Sequence, residues 1–246
     1  MNITPPSLFL LLNSVQKNLL VDMTLPGTNN SSDPKDQLLT AYSVMFYFAG
    51  SIITLEPDDD GLPGFCASGL LKNLPVTSRN PDFAAAYELF NAPCNEKGSC
   101  KKNVKEHFRH MFAEKESATS WPAESVWCAS SADRPAENNS TVDLFYGKYS
   151  FSSENESGLP SDHLGIELLF YNKLISGYLN TNDLKAKETI RKDIIAFSDR
   201  HLLDWLPAWV KSVTGISGAK CFKGIAHLIL ASVEDVRSLL VNVSKN

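Results

Sequence analysis

GLPSDHLGIELLFYNKLI, residues 158–175, is the stretch whose reading decides the fold. A proline-bearing turn passes through Ser161, Asp162 and His163 into a run where Leu164, Leu168, Tyr171 and Ile175 recur at steps of four and three. Those steps keep apolar side chains on one face of a helix with 3.6 residues per turn. Ser or Asp just before such a run supplies the side-chain oxygen that orphaned N–H groups of a first turn need. The stretch therefore predicts a buried-face helix opened by a polar turn.

The same signature spreads in both directions. Asp33 followed by Pro34 reads as an N-cap with proline at the first helical position, where a missing N–H costs nothing, and the apolar run behind it continues to Leu55. Pro81 opens PDFAAAYELF, with Phe83, Tyr87 and Phe90 on one face, and VKEHFRHMF at 104–112 is helical again after a turn-rich loop over 91–103. Ile194, Phe197, His201, Trp205 and Trp209 lay down another stripe, with Pro207 as a kink or restart, and Trp205 and Trp209 belong to the core. Phe222, Ala226, Ile229, Val233, Val236 and Leu240 form the last stripe. Only LFYGKYSF, 144–151, competes as strand, in the form of a short hairpin. The fold class is all-α: a single helical bundle with an N-terminal extension carrying one helix at 1–32, a helical region at 33–116, a Pro/Ser-rich connector at 117–161 and a second helical region at 162–246.

Composition narrows the function. The 246 residues are 43% hydrophobic and 21% charged, which suits a globular core and excludes disordered, collagenous and disulfide-scaffold classes. A net charge of −5 is the wrong sign for a protein that works by neutralising nucleic-acid phosphates or anionic lipid, and fits a cationic partner. Cys66, Cys94, Cys100, Cys128 and Cys221 are odd in number and irregular in spacing, with no CxxC pair, so reduced thiols are expected. The LFLLL run near the N-terminus lacks a basic flank and a small-residue cleavage site, so a cytoplasmic location is expected and sequons such as Asn139 carry no glycan meaning. The uncharged run 38–55 is long enough to span a bilayer, but it holds Thr40, Tyr42, Ser43, Tyr47, Ser51 and Thr54 and ends in an acidic cluster; a core helix is expected, without stable membrane insertion.

No catalytic signature stands out. GISGAKC at 215–221 lacks the spacing of a phosphate-binding loop, and HExxH and GxSxG are absent, so no metal, no cofactor and no catalytic residue is expected. Asp162 and His163 read either as the cap of the helix behind them or as an Asp-His dyad of a small helical hydrolase. Trp121 and Trp127 flank Glu124 in SWPAESVW, where aromatic area beside a carboxylate suits either a binding surface or plain packing.

Three segments carry a resemblance to a family. WPAESVW, residues 121–127, resembles the Pro-x-x-Ser-Val-Trp/Tyr loop of the TorD/DmsD redox-enzyme maturation chaperones; LPSDHLGIELLF resembles their Glu-Pro-x-Asp-His-x-Gly-x-x-Leu segment; HLLDWLPAWVKSV, 201–213, resembles their His-Leu-x-x-Trp helix. The resemblance implies an all-helical TorD-like fold and a non-enzymatic cytoplasmic chaperone. Its partner would be the precursor of a molybdopterin-containing oxidoreductase, held by its twin-arginine leader or apo-body until the cofactor is in. A homodimer is also left open.

Carried over by position, the resemblance assigns Phe108 and Phe112 as groove aromatics, Trp127 as the loop aromatic, and Asp162 and His163 as the Asp-His pair. Residue chemistry agrees with such a client: guanidinium groups on an apolar segment call for carboxylates and an aromatic or aliphatic groove. Asp162 and Glu124 can supply charge; Trp121 and Pro122 can add surface to the family positions. A subunit that never leaves its enzyme is the blander reading.

Overall fold

The structure is a computed structural model that describes residues 33–54, 56, 76–91, 99–113, 118–128, 138–152 and 158–241. Nine α-helices run through them: α1 (Pro34–Thr54), α2 (Pro81–Asn91), α3 (Ser99–Phe108), α4 (Glu124–Trp127), α5 (Asn138–Lys148), α6 (Leu164–Asn180), α7 (Leu184–Phe197), α8 (Leu206–Gly215) and α9 (Lys220–Val241). Single π turns extend α3 over Arg109–Ala113 and α7 over Ser198–Leu202. No named strand occurs among the described residues; Ala123 and His163 alone form an antiparallel bridge. The all-α expectation holds. The extension at 1–32 lies outside the described residues.

Local chemistry explains the boundaries. Asp33 Oδ1 accepts from Lys35 N at 2.9 Å, capping α1 as read from the sequence. Asp183 Oδ1 does the same for α7, accepting from Lys185 N and Ala186 N. Pro207 does not kink a continuous helix: it stands in the first turn of α8, so it restarts one after the π turn. α3 begins at Ser99, inside the stretch expected to be loop.

LFYGKYSF is not a hairpin. Its first five residues close α5, and the remainder is a turn in which Ser150 takes a positive φ of 48°. Val142 and Tyr146 lie four apart and are both buried, and the Tyr146 ring meets Phe170 at 4.7 Å. Aromatic and β-branched residues have strand propensity, but burying Val142 and Tyr146 at helical spacing outweighs it.

α6 is the central rod. Its residues 164–172 are buried without interruption, so it has no solvent face over its first half. α1 lies along it, and the two backbones meet at paired glycines. A Cβ on Gly50 would stand 3.0 Å from Gly165 O, and one on Gly165 would stand 2.0 Å from Thr54 Oγ1. Ser43 and Asn172 hydrogen-bond across the same seam, satisfying two polar groups that burial would otherwise penalise. α1 is long and apolar enough to cross a membrane, but most of it is buried inside the fold, as expected of a core helix.

α9 packs on α2, α8, α1 and α7. Its stripe of Phe222, Ala226, Ile229, Val233, Val236 and Leu240 is wholly buried, as the spacing predicts. Each such large side chain contributes roughly 1.5–3 kcal/mol on leaving water. The helical regions before and after the connector thus share one core, because α1 and α2 pack directly on α6 and α9.

Candidate functional site

Two segments far apart in the chain are joined at the start of α6. Glu124 N donates to Asp162 O at 3.0 Å and Leu164 N donates to Pro122 O at 2.7 Å, which makes the Ala123–His163 bridge. Asp162 Oδ2 then accepts from Ser125 N at 2.9 Å. α4 has only four residues and its own preceding residue, Ala123, offers no side-chain cap. A four-residue helix cannot offset its nucleation cost by itself, so the Asp162 turn supplies the acceptors that hold it.

His163 is the N-cap of α6: its Nδ1 accepts from Gly165 N at 3.1 Å. An Nδ1 used as acceptor requires the neutral ring with its proton on Nε2. Burial pushes the His163 pKa down to about 3, since nothing nearby compensates a charged imidazolium. Asp162 and His163 thus turn away from each other, one capping α4 and the other α6. No Asp-His dyad forms: neither side chain bonds the other, Asp162 Oδ2 accepts from Ser125 N and His163 Nδ1 accepts from Gly165 N.

The loop aromatics close over this junction. The Trp121 ring stands edge-on to His163 at 5.5 Å, and Trp127 Nε1 donates to Trp121 O at 2.8 Å. The structure therefore brings together Trp121, Pro122, Glu124, Trp127, Asp162 and His163. All but Trp127 are buried; Trp127 is half-buried and Val126 beside it is 42% exposed.

Phe108 and Phe112 are elsewhere. They stack edge-to-face at 5.7 Å, and Phe112 meets Phe222 at 5.4 Å and Trp209 at 6.1 Å. At 4% and 3% exposure they are core residues of the chain. The four-residue spacing that would aim both at a groove aims both equally at a core, and α8 and α9 cover that face.

Beneath the junction lies an acidic centre. Glu124 Oε2 and His201 Nδ1 are 2.8 Å apart, and Glu167 from α6 joins them, with ligand-type atoms of all three within 4.8 Å of one another. Neither Glu167 oxygen meets a donor among the described residues. Its neighbour Glu124 is another acceptor, so the two carboxyl groups can bond only through a shared proton. Burial first, and then the charges of Glu124 and Asp162, hold the Glu167 pKa well above the usual carboxylate range. Buried Tyr146 roofs the same region, donating to Ser161 O at 2.8 Å.

Sequence reasoning missed Glu167 and placed His201 only in an apolar stripe and at the head of the His-Leu-x-x-Trp segment, with no role of its own. A signal was available in both cases: each is an ionisable residue at a register position otherwise occupied by buried apolar side chains, as in LGIELLF. What could not be read was that both stripes face Glu124. Asp162 Oδ1 and Trp121 Nε1 are likewise buried without a hydrogen-bond partner among the described residues.

Comparison with known proteins gives two matches. The family described as nitrate reductase delta subunit matches residues 78–211, an interval that holds every site segment above. The chain is also similar to a protein named Chaperone protein TorD, from Photobacterium profundum: 20% identity over 193 residues, covering 76% of this chain and 88% of that protein.

Proposed function

The chain belongs to the nitrate reductase delta subunit family, the TorD/DmsD group of redox-enzyme maturation chaperones, and from that premise we propose that it grips the twin-arginine leader of one exported molybdoenzyme until molybdopterin is inserted. It is a chaperone of molybdoenzyme maturation and not an enzyme. The proposed place of work is the cytoplasm, before export.

The observation that supports leader binding most directly is that Oδ1 of Asp162, beside the short helix that carries Trp127, has no donor among the described residues. A guanidinium is the donor group that fits a carboxylate best, and it would satisfy an oxygen that the fold leaves unsatisfied. Val126 and Trp127 on α4 offer apolar surface for the greasy part of the leader. Because Asp162 is only 1% exposed, engagement requires the residues that bury its carboxylate to part. Glu124 and His163 hold this junction from behind, and Phe108 and Phe112 act as its packed support.

Calorimetry with the leader peptide of a verified client tests this. Binding is expected at micromolar Kd or tighter, about −8 kcal/mol, and weaker at high salt. Asp162→Asn keeps an oxygen for the Ser125 cap while removing charge, and should weaken binding roughly 10- to 100-fold, the cost of a charge-assisted hydrogen bond. It should also flatten the salt dependence. Trp127→Ala should weaken binding through lost contact area with the salt dependence intact. Wild-type affinity in both variants would refute the site.

A further inference from the structure

Glu124, Glu167 and His201 come from three elements separated by up to 77 positions, and they converge in a space closed to solvent. Glu167 and Glu124 are 0% exposed and His201 is 3% exposed. Phe145 and Phe197 stand 5.4 Å and 5.0 Å from the His201 ring and wall it off. Buried polar atoms in folded proteins are nearly always bonded, yet neither oxygen of Glu167 has a hydrogen-bond partner among the described residues.

We propose that Glu124, Glu167 and His201 bind a divalent first-row transition ion of the zinc class, which ties α4 to α6 and to the π turn after α7. The inference goes beyond leader binding and does not depend on it. Two carboxylates and one imidazole are a ligand set that zinc accepts, leaving a fourth position. The charges also close: two carboxylates balance a divalent ion, and a neutral imidazole completes the set. Bond lengths of about 2.0–2.2 Å place tetrahedral ligand atoms roughly 3.3–3.6 Å apart. The 2.8 Å between Glu124 Oε2 and His201 Nδ1 and the 4.8 Å limit for the group bracket that spacing, so small side-chain adjustments suffice. The His201 ring has its Nδ1 turned toward the acids already.

A bound ion would fasten the short helix that carries Trp127 to the rod of the bundle. It would also give Glu167 the positive partner that no described residue provides.

The test uses the full chain, purified without metal-affinity resin, stripped with a chelator and dialysed. Zinc and cobalt(II) are then titrated separately, with metal content, visible absorption and thermal unfolding as readouts. The expected result is one equivalent bound, ligand-field bands of a four-coordinate cobalt site, and a midpoint temperature that climbs with metal concentration. Glu167→Gln, close in shape but without charge, should weaken binding by at least about 100-fold, since loss of an outer partner alone costs 10- to 100-fold. His201→Asn should do the same. His227→Gln, at the separate, half-buried His227–Asp82 pair, should leave metal binding unchanged. The proposal is overturned if the wild-type chain takes up no equivalent of either ion. It is equally overturned if binding persists in both Glu167→Gln and His201→Asn, which marks an adventitious ion only. Should the variants fail to fold, the wild-type titration still decides, and a chain that binds neither ion carries a proton shared by two carboxyl groups instead.

Discussion

Gly165→Ala is expected to lower the unfolding free energy by about 2–3 kcal/mol, as read by urea denaturation. The physical cause is the crossing of α1 over α6. The new methyl carbon would stand 2.0 Å from Thr54 Oγ1, 3.0 Å from Gly50 O and 3.2 Å from His163 Nδ1. Thr54 cannot simply swing away, because its hydroxyl donates to Gly50 O at 2.6 Å. The helix-propensity gain of alanine over glycine, up to about 1 kcal/mol, offsets only part of this strain. A double-mutant cycle separates the contributions. Thr54→Ala removes the atom in closest conflict, so the Gly165→Ala/Thr54→Ala chain should regain at least half of the loss, with a coupling of about 1–2 kcal/mol. Additive effects of the two substitutions would refute the steric account. The backbone contact with Gly50 O prevents full recovery.

The second large effect is acid lability from His163. Its folded pKa is held at about 3 by burial, against 6.5 in an unfolded chain. At pH values above 6.5 both states are neutral and the imidazole contributes nothing to the pH dependence. As pH falls below 6.5 the unfolded chain takes up a proton that the folded chain refuses, so stability is lost from there down to about pH 3. The slope approaches one proton, which removes roughly 2 kcal/mol between pH 6.5 and 4.5. His163→Asn keeps a side-chain acceptor for Gly165 N but cannot titrate. Urea unfolding of both proteins across that interval should give a wild-type curve steeper by about one proton, since all other groups titrate in both. Parallel curves would show that His163 is accessible to protons in the folded state. The direction distinguishes this residue from a histidine paired with acid, which would gain stability on acidification.

The helices were legible in the sequence wherever an apolar stripe met a cap. α1, α6 and α9 announce themselves by Pro34, the Ser161–His163 turn and regular steps of three and four, whereas the Asp183 cap that opens α7 was not read from the sequence. α5 was obscured because LFYGKYSF is rich in residues that pack well in either helix or strand, and only the tertiary partner Phe170 decides between them. The site was legible in its members more than in its state. WPAESVW and LPSDHLG do meet, as two motif-bearing loops should, but the burial of Asp162, Phe108 and Phe112 in the free chain was not to be read from their spacing. Periodicity reports which face of a helix is apolar; it is silent on whether protein or client covers that face. Glu167 and His201 were invisible as partners because their meeting depends on the crossing of three helices.

The four tryptophans are divided unevenly by the fold: Trp121, Trp205 and Trp209 are buried, while Trp127 alone is half-exposed on a four-residue helix held by borrowed caps. The molecule consequently carries its own optical reporter. A collisional quencher such as acrylamide has one indole within easy reach, so any ligand that covers or unwinds that short helix should be visible in intrinsic emission without an attached dye.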